Sequence, residues 1–151
     1  MSEQEQRIVV GIDGSAGSRA ALRWALRYAD KTGEEVTALI AWAHPTYYGV
    51  GAPMPEEDPD KDAERALRKA VEETTSLLGS QVSVRQEVVR GHPAETLVNA
   101  VRSNDLLVVG SRGHGGFVGV LLGSVSQHCV HHSPCPVLVV RHEEEPEGGP
   151  A

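Results

Sequence analysis

The sequence predicts an α/β domain: an open parallel sheet with helices on both faces. Three observations carry that expectation. Five short apolar segments alternate with four segments of helical periodicity. The alternation is strict along the chain, which implies parallel strands joined by crossover helices. Glycine-rich turns follow the first and fourth strand segments, and in such sheets ligands sit beyond the carboxyl ends of the strands, where the strand order reverses.

The elements follow in order. Arg7 to Gly11 contains Ile-Val-Val, a short buried-strand pattern, and Asp13-Gly14-Ser15 then turns the chain. Ala21, Leu22, Ala25, Leu26 and Ala29 recur at helical spacing. Gly33 closes that helix, because glycine tolerates the left-handed cap conformation. Val36 to Trp42 is the second strand, and a loop rich in Pro, Gly and Tyr runs from Ala43 to about Pro59. Ala63, Ala66, Leu67, Ala70, Val71, Leu77 and Leu78 mark a second helix that closes near Gly79. Val82 to Val89 is the third strand; Ser83, Arg85, Gln86 and Glu87 make one of its faces wet, which suits a sheet edge. Gly91-His92-Pro93 starts a third helix, with proline where its missing N–H costs nothing. Ala94, Leu97, Val98 and Val101 form its buried stripe. Leu106 to Val109 is a fourth strand, apolar on both faces, Ser124 to about His131 a fourth helix, and Val137 to Val140 a fifth strand.

Composition narrows the function. A chain of 151 residues fits one domain with a core of useful size. Aromatic residues make up only 4%, so that core must be aliphatic. No segment is long and apolar enough to span a bilayer, so no membrane partner is expected. Met1 to Arg7 is polar and acidic, unlike a signal peptide, and Cys129 and Cys135 form no disulfide framework. A cytoplasmic location is expected. The net charge is −7, four of those negatives lying in Glu143-Glu144-Glu145-Pro146-Glu147. No basic stripe with interleaved aromatics is evident along the sequence, so nucleic acid is not expected as a partner. The expected organisation is a disordered start over residues 1–6, one domain over 7–141, and an acidic disordered tail over 142–151.

The chemistry lies after the fourth strand. Asp105-Leu106-Leu107-Val108-Val109 runs into Gly110-Ser111-Arg112-Gly113, and Gly123-Ser124-Val125-Ser126 comes later. Glycines let the backbone approach a ligand closely. Gly123-Ser124 opens a helix, whose free N–H groups and positive end suit phosphate. The hydroxyls of Ser124 and Ser126 offer donors, and Arg112 and His114 offer charge. The plainer alternative is a glycine-rich loop with Ser124 capping its helix, and spacing alone leaves both open. No Gly-Lys-Ser/Thr occurs, so this is not a P-loop with its phosphate-binding lysine. Gly113-His114-Gly115-Gly116-Phe117-Val118 fails the dinucleotide fingerprint at its last glycine. Val109-Gly110-Ser111-Arg112-Gly113 resembles a nucleophile elbow, but Val109 replaces its first glycine, and no acidic residue after Ser111 precedes the final histidine, His142, so the order required of such a hydrolase is missing.

The pattern Gly-x2-Gly-x9-Gly-Ser, carried by Gly110, Gly113, Gly123 and Ser124, resembles the ATP-binding branch of the universal stress protein family. Ile8-Val9-Val10-Gly11-Ile12-Asp13-Gly14-Ser15 is similar to that family's first strand and turn. Ser111-Arg112-Gly113-His114-Gly115-Gly116 and Ser133-Pro134-Cys135-Pro136-Val137-Leu138-Val139-Val140 are similar to its late loop and last strand. The resemblance runs from about Arg7 to Arg141. It implies a Rossmann-like sheet in the order 3-2-1-4-5 and ATP held with Mg²⁺ or Mn²⁺. It places Ile12, Asp13, Gly14 and Ser15 at the nucleotide, Ala41 at the adenine edge and Gly110 against the ribose. Ser111, Arg112, Gly113, His114, Gly123, Ser124, Val125 and Ser126 fall around the phosphates.

Asp13 beside a polyanion calls for a divalent cation or a ribose hydroxyl; the alternative is a turn-forming Asp that binds its own backbone. His128, Cys129, His131, His132 and Cys135 make a tempting metal cluster, but their spacing is irregular and Cys129 is expected in the core, so zinc is not expected. Trp24 and Trp42 read as packing residues, and Tyr47 and Tyr48 as loop anchors or a cover for the adenine. The functional expectation is an ATP-binding stress-response regulator with an unknown protein partner. No catalytic residue is assigned, and slow ATP hydrolysis is the most the residues support. The alternative is a nucleotide-independent dimeric interaction protein. Either suits a homodimer through Val137, Leu138, Val139 and Val140, an apolar strand that the implied order leaves at an edge.

Overall fold

The computed structural model describes residues 6–43, 58–111 and 122–141. Five parallel strands alternate with four helices: β1 (Arg7–Ile12), α1 (Ala16–Thr32), β2 (Glu35–Trp42), α2 (Pro59–Leu78), β3 (Val84–Arg90), α3 (Pro93–Ala100), β4 (Leu106–Gly110), α4 (Ser124–His132) and β5 (Val137–Val140). The sheet order is β3-β2-β1-β4-β5, as the family resemblance implied.

The pleat of the central strands sorts the core into two layers. Ile8, Val10 and Ile12 of β1, with Val108 of β4, pack beneath α1 and α2 against Leu22, Leu26, Leu67 and Val71. Val9 and the β4 residues Leu107 and Val109 face α3 and α4, meeting Leu97, Val101 and Cys129. Burial on both faces is why β1 and β4 read as continuous apolar runs. Every residue of β5 is half-buried, and so is much of β3, as befits the two edges.

The helix ends obey their local chemistry. Ser15 caps α1 by accepting the Ser18 N–H at 3.2 Å. Gly33 and Gly79 close α1 and α2 with φ of 78° and 61°. Pro93 sits in the first turn of α3.

One strand start differs from the sequence expectation by two residues. β3 begins at Val84, not Val82, because its first partner is Val36; Val82 instead donates its N–H to Ser80 Oγ. α2 begins at Pro59, where the loop was expected to end, a full turn before the apolar stripe starts at Ala63, its first turn being the polar Pro59-Asp60-Lys61-Asp62.

Candidate functional site

β1 lies between β2 and β4. The connections after β1 and after β2 lead to one side of the sheet and those after β3 and β4 to the other. The crevice between the ends of β1 and β4 is therefore where the strand order reverses, and both suspected loops border it.

On the β1 side, Ile12 is buried and pairs with Ile40. Asp13 is exposed, and its Oδ1 accepts the Ser15 N–H at 2.8 Å. The turn-forming alternative for Asp13 is thus realised. Its second oxygen has no hydrogen bond among the described residues. Gly14 turns the chain at φ 84°, where a side chain would be strained. Ser18, which the sequence reading passed over, completes the turn: its Oγ accepts the Asp13 N–H at 3.3 Å and donates to the Ser15 carbonyl at 3.0 Å. The Ser-x-x-Ser spacing from Ser15 to Ser18 was the available signal.

On the β4 side, Gly110 pairs with Val140. A Cβ on Gly110 would lie 2.7 Å from the carbonyl carbon and oxygen of Gly17, so this glycine sets how closely β4 approaches the first turn of α1. Ser111 continues the ladder by donating to the Val140 carbonyl at 2.9 Å. Its own carbonyl accepts the Gly123 N–H at 2.6 Å and the Ser126 hydroxyl at 3.0 Å. The two ends of the glycine-rich loop are thereby pinned together at the mouth of β4. Arg112, Gly113 and His114 lie outside the described residues, as do Tyr47 and Tyr48.

α4 starts with Gly123 as its N-cap residue, Ser124 following inside the helix, and no side chain of the described residues caps it. The reading of Ser124 as a capping residue is therefore corrected: it stands one position too late. Ser126 is 2% exposed, and its hydroxyl is spent on the carbonyls of Ser111 and Gly123, so it braces the loop. The first N–H groups of α4, those of Ser124 and Val125 among them, are the ones a helix leaves without an internal partner. Ser124 is exposed and Val125 half-buried. Ala41, half-buried near the end of β2, lies across β1 from this point, and beside it the Arg90 guanidinium sits 5.7 Å from the centre of the Trp42 ring.

No group of three or more metal-ligating side chains occurs among the described residues. Cys129 is fully buried, and burial, with the Cys135 thiol nearby, pushes its own thiol up to about 11. It is a core residue, as expected. The rings of His128 and His132 on α4 lie 4.4 Å apart, tilted by 39°. Trp24 packs against the core and stacks on Tyr28 at 5.0 Å. No helix among the described residues is long and apolar enough to cross a membrane.

The model of the Universal stress protein family matches residues 5–141. A universal stress protein of Mycolicibacterium smegmatis is 33% identical over 153 residues, covering 95% of this chain and 51% of that protein. The chain spans about half the length of the curated relatives it matches. Among solved structures, the universal stress protein UspA from Lactobacillus plantarum superposes with a TM-score of 0.73 at 23% identity, covering 93% of this chain and 100% of its own. A universal stress protein solved in complex with cAMP superposes with a TM-score of 0.65 at 28% identity, covering 92% and 98%.

Proposed function

The chain belongs to the universal stress protein family, and on that premise we propose that it is an ATP-binding regulatory module of the stress response. The observation that carries the reading is the uncapped N-terminus of α4, set at the mouth of β4 by the Ser111–Gly123 hydrogen bond. Open helix N–H groups and a positive helix end suit phosphates. The relative bound to cAMP supports an adenine nucleotide as the ligand class.

The residues fit ATP with Mg²⁺ or Mn²⁺. Ser124 and Val125 offer backbone N–H groups to the phosphates, with Arg112, Gly113 and His114 on the intervening loop. The exposed Asp13 supplies an oxygen for a ribose hydroxyl or a divalent cation, which would offset phosphate charge. Backbone groups of Ala41 take the adenine edge. On this reading no catalytic residue is assigned, and the module holds its nucleotide and at most hydrolyses it slowly. Regulation then requires that ATP bind one arrangement of these loops better than another, since only differential affinity shifts an equilibrium.

Calorimetric titration with ATP and Mg²⁺ tests this. Saturable binding by the wild type, weakened at least about tenfold (~1.4 kcal/mol) in Gly113→Ala plus Ser124→Ala, is the expected result. No binding by the wild type, or unchanged affinity in the double variant, sinks the proposal.

The second reading is a nucleotide-independent interaction protein working as a homodimer. It is favoured by β5, half-buried along its length at a sheet edge, and by Val130 of the adjacent α4, which is 47% exposed. Dimerisation through β5 suits both readings. Mass spectrometry of ligand released from freshly purified protein separates them, because co-purified nucleotide speaks for the first.

A further inference from the structure

Helix α1 carries a basic ridge that the linear sequence conceals. Arg19, Arg23, Arg27 and Lys31 recur at every fourth position, which lines them up along its outward face. Arg19 and Arg23 are half-buried, Arg27 and Lys31 exposed. None of the four forms an ion pair among the described residues. On α2, by contrast, Arg65, Arg68 and Lys69 each meet a carboxylate of their own helix. Asp30, the single carboxylate of α1, accepts the Ser80 hydroxyl at 3.3 and 3.4 Å. Arg19 Nε is buried with no acceptor among the described residues. Like charges four apart repel by about 0.2–0.5 kcal/mol per pair, and Arg19 stands near the positive end of its helix. The ridge is an arrangement that an anionic partner stabilises.

We propose that this ridge docks the chain's own acidic segment, Glu143-Glu144-Glu145-Pro146-Glu147. Its four carboxylates match the four cations in number. Val140 is in register with Gly110, and Gly110 abuts the backbone of Gly17, so the chain leaves β5 one strand spacing, about 4.8 Å, from a strand in contact with the first turn of α1. The carboxylates from Glu143 to Glu147 span about 13 Å when extended at ~3.3 Å per residue, which matches the roughly 12 Å from Arg19 to Arg27 at ~1.5 Å per residue. Proline at 146 favours the extended form. The same acidic segment next to the ridge disfavours nucleic acid as its occupant, as does the net charge of −7.

The test compares the full chain with a variant in which Glu143, Glu144, Glu145 and Glu147 are all changed to Gln. Nuclear magnetic resonance reads the side-chain Nε–Hε signals of Arg19, Arg23 and Arg27 and the backbone order of 143–147. The proposal expects the three arginine signals to move in the variant, the wild-type segment to be more ordered than the neutral one, and both differences to collapse at about 0.5 M salt, where charges are screened within ~4 Å. Arg19→Gln, Arg23→Gln and Arg27→Gln together must release the acidic segment as the Glu→Gln changes do. A synthetic Glu-Glu-Glu-Pro-Glu peptide must bind the neutral variant about tenfold more tightly than the wild type, whose tethered segment competes. Unmoved arginine signals, equal order of the segment in both proteins, or differences that vanish on dilution, as a contact between copies would, overturn the proposal. So does an oligonucleotide that binds both proteins equally at the ridge.

Discussion

Gly110 shows how much one hydrogen atom can decide. The sequence marked it as a ligand-facing glycine, and the structure adds a second reason for it: the Gly17 backbone lies where its side chain would be. Backbone cannot swing aside as a side chain can, so Gly110→Ala must push α1 off β4 and is expected to cost about 2–3 kcal/mol, in the range of overpacked cores. Gly11 is the control, since its added methyl meets side chains and no backbone, the nearest being the flexible Leu97 Cδ1 at 2.8 Å, with Val109 Cγ1 at 3.5 Å; urea titrations should show it the milder change. Equal losses for the two variants would remove the packing argument. Asp105 is decisive in a different way. It is 3% exposed, and it accepts Arg7 Nη2 at 2.9 Å and the Arg102 N–H at 2.8 Å. Burial pushes its carboxyl up, but the bonds from Arg7 and Arg102 outweigh that and leave it below the ordinary carboxylate range. A depressed folded value means that the stabilisation is present above the unfolded value of about 4 and fades as pH falls through the folded one. Urea midpoints measured from pH 7 down to 2 should therefore fall at the acid end for the wild type, and less steeply for Asp105→Asn, which starts out less stable. Parallel pH profiles would refute the linkage.

The elements were legible wherever their signal was local. Gly33 and Gly79, Pro93 and the apolar stripes of α1 and α3 each announced a boundary or a buried face, because caps and periodicity act within a few residues. The start of β3 was not legible, since it depends on where β2 begins to pair. The basic ridge escaped for a related reason: its members lie four apart, and only the helix brings them into line. Within the site, the glycine and serine positions were readable but not the use of each hydroxyl. Ser126 looked like a donor for a ligand; the structure turns its hydroxyl back onto Ser111 and Gly123. Ser126→Ala should thus cost about 1 kcal/mol, the net worth of a buried hydrogen bond, by unpinning the start of α4 from β4. Thermal unfolding checks the loss. A variant as stable as the wild type would show that the Gly123–Ser111 bond suffices to hold the helix in place.

At the scale of the whole molecule the open question is the free edge of β5, and the ladder dictates how to probe it. Leu107 and Ser111 donate to the carbonyls of Pro136 and Val140. In a parallel ladder, alternate residues of β5 therefore turn their backbone groups toward β4, and Val137 and Val139 turn theirs outward. An edge strand with outward N–H and C=O groups is a template for a second copy, and apolar side chains on both faces strengthen it. Val139→Pro removes one outward donor while leaving every bond to β4 in place, and proline is tolerated on an edge strand in that orientation. The chain already carries Pro134 and Pro136 just ahead of β5. Sedimentation at micromolar concentration should show a dimer for the wild type and a monomer for Val139→Pro, with the far-ultraviolet circular dichroism of the two unchanged. A wild-type monomer, or a variant that stays dimeric, would move the interface away from β5. The Gly110–Val140 pairing gives the result a further use, because β5 borders the strand that ends at the site. On the proposed ATP-binding reading, a Val139→Pro monomer that binds ATP as tightly as the wild type would show that one copy holds the complete site, and a parallel loss of binding would mean that the edge and the candidate loops are coupled through β4.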